Sequence, residues 1–138
     1  MALSANRDVN FYTSQELIEI PLDDDVNIYK GALVGLNSST GYARPLTAGD
    51  DFLGVAYAQA DNTGTGHAAA AINVKLHQNV DVVHSLAGVA VTDTGSQVYA
   101  SDDGTLTLTS TNNTRVGRIV GVESSGVARV RLQPVAST

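Results

Sequence analysis

Residues 95–132 read GSQVYASDDGTLTLTSTNNTRVGRIVGVESSGVARVRL. Four short strands separated by turn signals account for this stretch. Residues 97–100 form the first, and Asp102-Asp103-Gly104 turns the chain. Residues 105–109 then alternate threonine with leucine, the period of two expected of a strand with one wet and one buried face. Residues 111–114 make a loop, 116–122 a third strand, and Ser124-Ser125-Gly126 a second tight turn. In the closing strand, 127–132, Ala128, Val130 and Leu132 share one face while Arg129 and Arg131 share the other. The stretch is an antiparallel β-meander.

The same grammar occurs earlier. GALVGL at 31–36 parallels GSQVYA at 95–100, Ser39-Thr40-Gly41 parallels Asp102-Asp103-Gly104, and FLGVA at 52–56 parallels RVGRI at 115–119. Gly66 and the alternation at 71–76 parallel Gly126 and the strand at 127–132. Two readings stay open: an internal repeat, 31–76 and 95–132, or the loose self-similarity of any glycine-punctuated β chain; two units are fewer than a solenoid needs.

The bulk numbers narrow the function classes. At 138 residues the chain forms one domain able to bury a core without a staple, and it has no cysteine. A formal charge of −6 argues against a nucleic-acid binder. No apolar run approaches membrane-span length, and residues 1–4 lack the features of a secretory signal. The core is rich in Ala, Gly, Val and Thr and has no Trp, which suits thin, closely packed sheets better than a deep ligand pocket. The expected fold is all-β: a small antiparallel β-barrel or β-sandwich of short strands at 21–138, with an extended N-terminal arm at 1–20.

That arm has no sustained period. Its segment 16–22 reads as a strand closed by Pro21, with a short helix over 14–20 capped by Ser14 as the weaker alternative. As an arm reaching a neighbour it would carry Phe11, Tyr12, Leu17, Ile18 and Ile20 as candidate subunit or capsid-interface anchors. The acidic clusters Asp23-Asp24-Asp25, Asp50-Asp51 and Asp102-Asp103 read as exposed turns. Consecutive carboxylates on extended chain cannot converge on one cation, and the D-x-D-x-D-G pattern is absent. A further strand pair is expected at 80–84 and 88–91.

Catalytic chemistry finds no motif. His67, His77 and His84 lack the i, i+2 spacing that places two ligands on one strand face. Neither G-x-S-x-G nor a phosphate-binding G-x-x-x-x-G-K-[ST] occurs, and 61–66 is a loop with no helix after it. Two glycosylation patterns, at Asn37 and Asn112, carry no weight without a secretory signal. The reading is no enzyme, no cofactor and no metal.

The order of GALVGL at 31–36, GYARPL at 41–46, FLGVA at 52–56, VDVVH at 80–84, GSQVYASDDG at 95–104 and VGRIVGV at 116–122 resembles the capsid cement, or decoration, proteins of tailed bacteriophages. The resemblance covers most of residues 26–132 and rests on structural glycines and valines. It implies a structural virion protein, made in the host cytoplasm, that binds the outside of the shell and holds capsomers together. The partners implied are the major capsid protein and further copies of the chain as a homotrimer, with no nucleic acid and no membrane. The alternative is a carbohydrate- or receptor-binding β module, whose stacking residues would come from Phe11, Tyr12, Tyr29, Tyr42, Phe52, Tyr57 and Tyr99.

Overall fold

The computed structural model describes residues 2–11, 16–64 and 68–134. Among them the chain is all-β, with open antiparallel sheets packed as a sandwich. Its strands are β1 (Asn10–Phe11), β2 (Glu16–Pro21), β3 (Asn27–Ile28), β4 (Leu33–Asn37), β5 (Tyr42–Pro45), β6 (Asp51–Ala56) and β7 (Ala60–Asp61). They continue with β8 (Asn73–Gln78), β9 (Val80–Ser85), β10 (Gln97–Asp102), β11 (Thr105–Thr107), β12 (Thr114–Ser124) and β13 (Val127–Leu132). One sheet has the order β2-β8-β6-β4-β5, the other β1-β9-β13-β12-β10-β11, and β3 pairs with β7 in a small ribbon.

The two large sheets follow one plan. Strands β2, β4, β5, β6 and β8 occupy the same relative places as β9, β10, β11, β12 and β13. The correspondence extends to register. Leu33 opposes Val55 and Val34 opposes Gly54, as Gln97 opposes Arg118 and Val98 opposes Gly117. One residue further on, both pairings slip, so Gly35 meets Phe52 and Tyr99 meets Arg115. The slip is a β-bulge, which inserts one unpaired residue and bends the strand. Even the isolated parallel bridges match, Leu22 with Ala43 and Leu86 with Leu106. The repeated unit thus begins at β2 in one half and at β9 in the other.

A single residue joins the units. Asn79 lies between β8 and β9 with φ of 55°, a left-handed conformation that asparagine tolerates better than most residues. It turns the chain from one sheet directly into the other.

Strand alternation then gives the layers. In the five-stranded sheet Leu33, Phe52 and Val55 face the six-stranded sheet, where they meet Val82, Val98, Ile119 and Val130. Val34, Ala43, Ala56, Val74 and Leu76 point the other way, into a second core closed by Leu22, Ile28 and Ala60. The five-stranded sheet is the middle layer, buried on both faces, between the six-stranded sheet and the β3–β7 ribbon. The units stack in the same sense: the face corresponding to Val98 and Ile119 in the second unit is Val34 and Ala56 in the first, and it looks away from the second unit.

Of the N-terminal segment, the described residues 2–11 and 16–20 lie along the body. β1 adds to the six-stranded sheet beside β9, and β2 forms an edge of the five-stranded sheet beside β8. The segment 16–21 is a strand rather than the alternative helix. The strand expected at 88–91 is absent: Gly88 turns with φ of 78°, and Val91–Asp93 is a 3-10 turn in which Ala90 N donates to Asp93 Oδ2 at 2.8 Å. That carboxylate competes with the ladder for the backbone donor.

Candidate functional site

Of the five anchors expected on the arm, the three on β2 are divided by its pleat. Leu17 is 54% exposed, while Ile18 and Ile20 are half-buried and pack against the second core. The last two serve folding, because successive side chains of a strand point to opposite faces. Phe11 is paired through its backbone, opposite Val82. Tyr12 lies outside the described residues. Beside Leu17 on the same face stands His77, its cross-strand neighbour, and the His77 ring meets Tyr57 edge-on at 4.9 Å. Tyr57 is 48% exposed, so an apolar edge of Leu17 and Tyr57 borders β2 and β8.

The outer face of the six-stranded sheet carries a different surface. One ladder row crosses β10, β12, β13 and β9 as Gln97, Arg118, Arg131 and Asp81. Tyr99 and Arg115 form the row on one side, and Arg129 pairs with Val83 on the other. Four of the chain's eight Lys and Arg residues thereby share one face. In the first unit the corresponding positions are Leu33, Val55, His77 and Leu17, with Phe52 standing where Arg115 does. The sequence shows Arg129 and Arg131 on one side of β13, but not that Arg115 and Arg118 join them. Residues three apart on a regular strand face opposite ways, and only the bulge at this point of β12 brings both to the same side.

Two of these arginines hold carboxylates of their own chain. Arg131 binds Asp81 through Nε at 2.7 Å and Nη2 at 3.0 Å, and Arg129 Nη2 lies 2.8 Å from Glu123 Oε2. Arg115 donates to the Gln97 side-chain oxygen. Arg118 is exposed, with no ion pair or hydrogen bond to a described residue.

An open cleft of about 580 Å³ lies where the N-terminal segment crosses the sandwich, lined by Arg7, Asp8, Val83, His84, Ser85 and Thr105 among others. Leu3 N donates to Asp103 Oδ1 at 2.9 Å and Arg7 N to the Lys30 carbonyl at 2.9 Å, which fixes the segment. His84 is buried. Its Nδ1 faces the Ser85 carbonyl at 2.9 Å, an acceptor, so that nitrogen carries the proton and Nε2 accepts from Arg7 Nη1 at 2.9 Å. Burial lowers the His84 pKa, the Ser85 carbonyl opposes that shift, and the Arg7 charge adds to it. The cleft wall is thus a neutral imidazole already bonded on both nitrogens.

The acidic turns differ from expectation. Asp23, Asp50 and Asp103 turn inward, while Asp24, Asp25 and Asp51 stay exposed. Asp23 accepts from Asn37 Nδ2 and Thr40 Oγ1, each at 2.9 Å, and Asp50 takes Arg44 in a two-pronged pair. Among the described residues no three His, Asp or Glu side chains converge as a metal site. His77 and His84 sit on different sheets, and His67 lies outside the described residues. Of the aromatic residues weighed as a stacking platform, Phe52 is buried and Tyr29, Tyr42 and Tyr99 are half-buried. No helix among the described residues is long and apolar enough to cross a membrane.

Comparison with protein-family models and with curated proteins finds no match to this chain.

Proposed function

We propose that this chain is a non-enzymatic structural protein of a virion, which binds the outer surface of a phage capsid and stabilises contacts between capsomers. The observation that carries the reading is the construction of the body. Two five-stranded units of one plan are stacked so that the middle sheet is buried on both faces. The outer sheet face and the β2 edge, with its exposed Leu17, remain for other molecules. Open strand edges recruit neighbours through main-chain hydrogen bonds, and such an edge is a liability unless a partner covers it. The resemblance to cement proteins at 31–36, 52–56 and 95–104 supports the same reading. A homotrimer and the major capsid protein are the partners proposed.

The test is to purify particles produced from the genome that encodes the chain, with its coding sequence intact or deleted. Deleted particles are expected to lose integrity at lower temperature and to regain it when purified chain is added back. Equal resistance with and without the chain overturns the proposal. The carbohydrate-binding alternative has less support, since Phe52 is buried and Tyr29, Tyr42 and Tyr99 are half-buried, while Tyr57 is exposed.

A further inference from the structure

We propose that the arginine face of the six-stranded sheet is a docking surface for a carboxylate-bearing protein surface. Its centre is Arg115 and Arg118. A solvated sheet face on an acidic chain calls for mixed charge, and here the positive residues are concentrated where the first unit buries Phe52 and Val55. Arg118 and Arg131 stand directly opposite one another on the β12–β13 ladder. Like charges in that position are destabilising. Asp81 relieves Arg131 from the far side, and among the described residues no carboxylate pairs with Arg118.

The occupant follows from charge and shape. The guanidinium fork matches a carboxylate with two parallel hydrogen bonds, and Arg131 already binds Asp81 in that manner. The face therefore accommodates two carboxylates of its own, Asp81 and Glu123, and presents the Arg115 and Arg118 guanidiniums to others. A nucleic acid is the weaker fit. It extends beyond a four-strand patch and would meet the field of a chain whose formal net charge is −6. A second copy is also disfavoured, because the exposed Asp24, Asp25 and Asp61 lie with the β3–β7 ribbon, on the opposite outer layer. Contacts between opposite layers are heterologous and stack copies head to tail unless a rotation closes them into a ring.

The proposal goes beyond the capsid reading and is tested without particles. The full chain, labelled with nitrogen-15, is titrated at low salt with poly-L-glutamate, followed through the arginine Nε–Hε resonances. Arg115 and Arg118 are expected to shift while Arg44, occupied by Asp50, stays in place. The double variant Arg115→Gln with Arg118→Gln is expected to weaken binding about tenfold, equal to about 1.4 kcal/mol. Lys30→Gln with Lys75→Gln removes the same charge elsewhere and is expected to leave binding unchanged. Absence of polyglutamate binding, or equal loss in both double variants, overturns the proposal. Tighter binding of a DNA duplex of matched charge overturns it in favour of a nucleic acid. Self-association of the wild type that the arginine variant abolishes overturns it in favour of a second copy.

Discussion

Gly117 lies so close beneath the Arg131 carbonyl that a β-carbon placed on it would stand 1.9 Å from that oxygen. Gly54 and the His77 carbonyl repeat the relationship in the first unit, at 2.6 Å. Both glycines follow the bulge, where the bent strand presses against its neighbour. The obstacle is backbone, which cannot rotate away as a side-chain tip can.

Gly117→Ala is therefore expected to destabilise the fold by about 3 kcal/mol, the upper part of the usual range for overpacking. Gly54→Ala is expected to be harmful in the same direction. Gly121, on the same strand as Gly117, has open space around it, and Gly121→Ala is expected to be neutral or slightly stabilising. Denaturant midpoints of the three variants check the order.

Much of this was legible in the sequence, and the exceptions have physical causes. Alternation at 127–132 places Ala128, Val130 and Leu132 in the core, and the structure buries all three. Pro45 cannot donate to a ladder, which confines 42–46 to an edge or a connection, and β5 is an edge. The arginine face was only half legible. A period of two assigns Arg115 and Arg118 to opposite sides, and a bulge leaves no mark in the residues other than a glycine. The inward turn of Asp23 was hidden because aspartate is favoured in turns whether its carboxylate faces water or caps a neighbouring loop. The division of Leu17 from Ile18 and Ile20 was legible once 16–21 is read as a strand.

Stability is expected to decline as pH falls below about 6.5, the ordinary histidine value. His84 is held neutral by burial, so its folded pKa lies below the unfolded one. Between those two values the unfolded chain binds the extra proton, and stability rises with pH. His77, lowered by burial alone, contributes with the same sign. Asp103 contributes in the opposite sense. Burial and the neighbouring Asp102 raise its pKa, against Leu3 N–H and Arg7, so acidification through that raised value relieves a cost. His84→Leu is expected to lower the plateau near neutrality and to flatten the slope just below it, as read by denaturation at a series of pH values. An unchanged slope contradicts the assignment.

Asp23 stabilises the β4–β5 turn. Burial by itself raises its pKa, but hydrogen bonds from Asn37, Thr40 and the Asp24 N–H outweigh it and hold the carboxyl below the usual range. Its contribution is complete above about pH 3.9 and is lost as pH falls through the lowered folded value. Asp23→Ala is expected to cost about 2 kcal/mol at neutral pH, since the hydrogen bonds that Asn37, Thr40 and the Asp24 N–H give to a charged carboxylate are lost. The loss is read from the denaturant midpoint, and the variant is expected to narrow its gap to wild type in strong acid.

β2 separates folding from association. Ile18→Ala is expected to cost about 1–2 kcal/mol, less than a fully buried aliphatic, because Ile18 is half-buried. Leu17→Asp is expected to leave stability within about 0.5 kcal/mol, as exposed substitutions do. If the proposed trimer uses this edge, Leu17→Asp reduces the solution mass measured by light scattering to that of one chain. A trimer that survives it places the subunit contact elsewhere.

The proposal of a capsid-bound structural protein is tested most directly by cryo-electron microscopy of particles with and without the chain. The expected result is difference density of two stacked sheets on the outside of the shell, repeated with the shell's symmetry. Density confined to the tail, or shells that are identical in the two preparations, would contradict it.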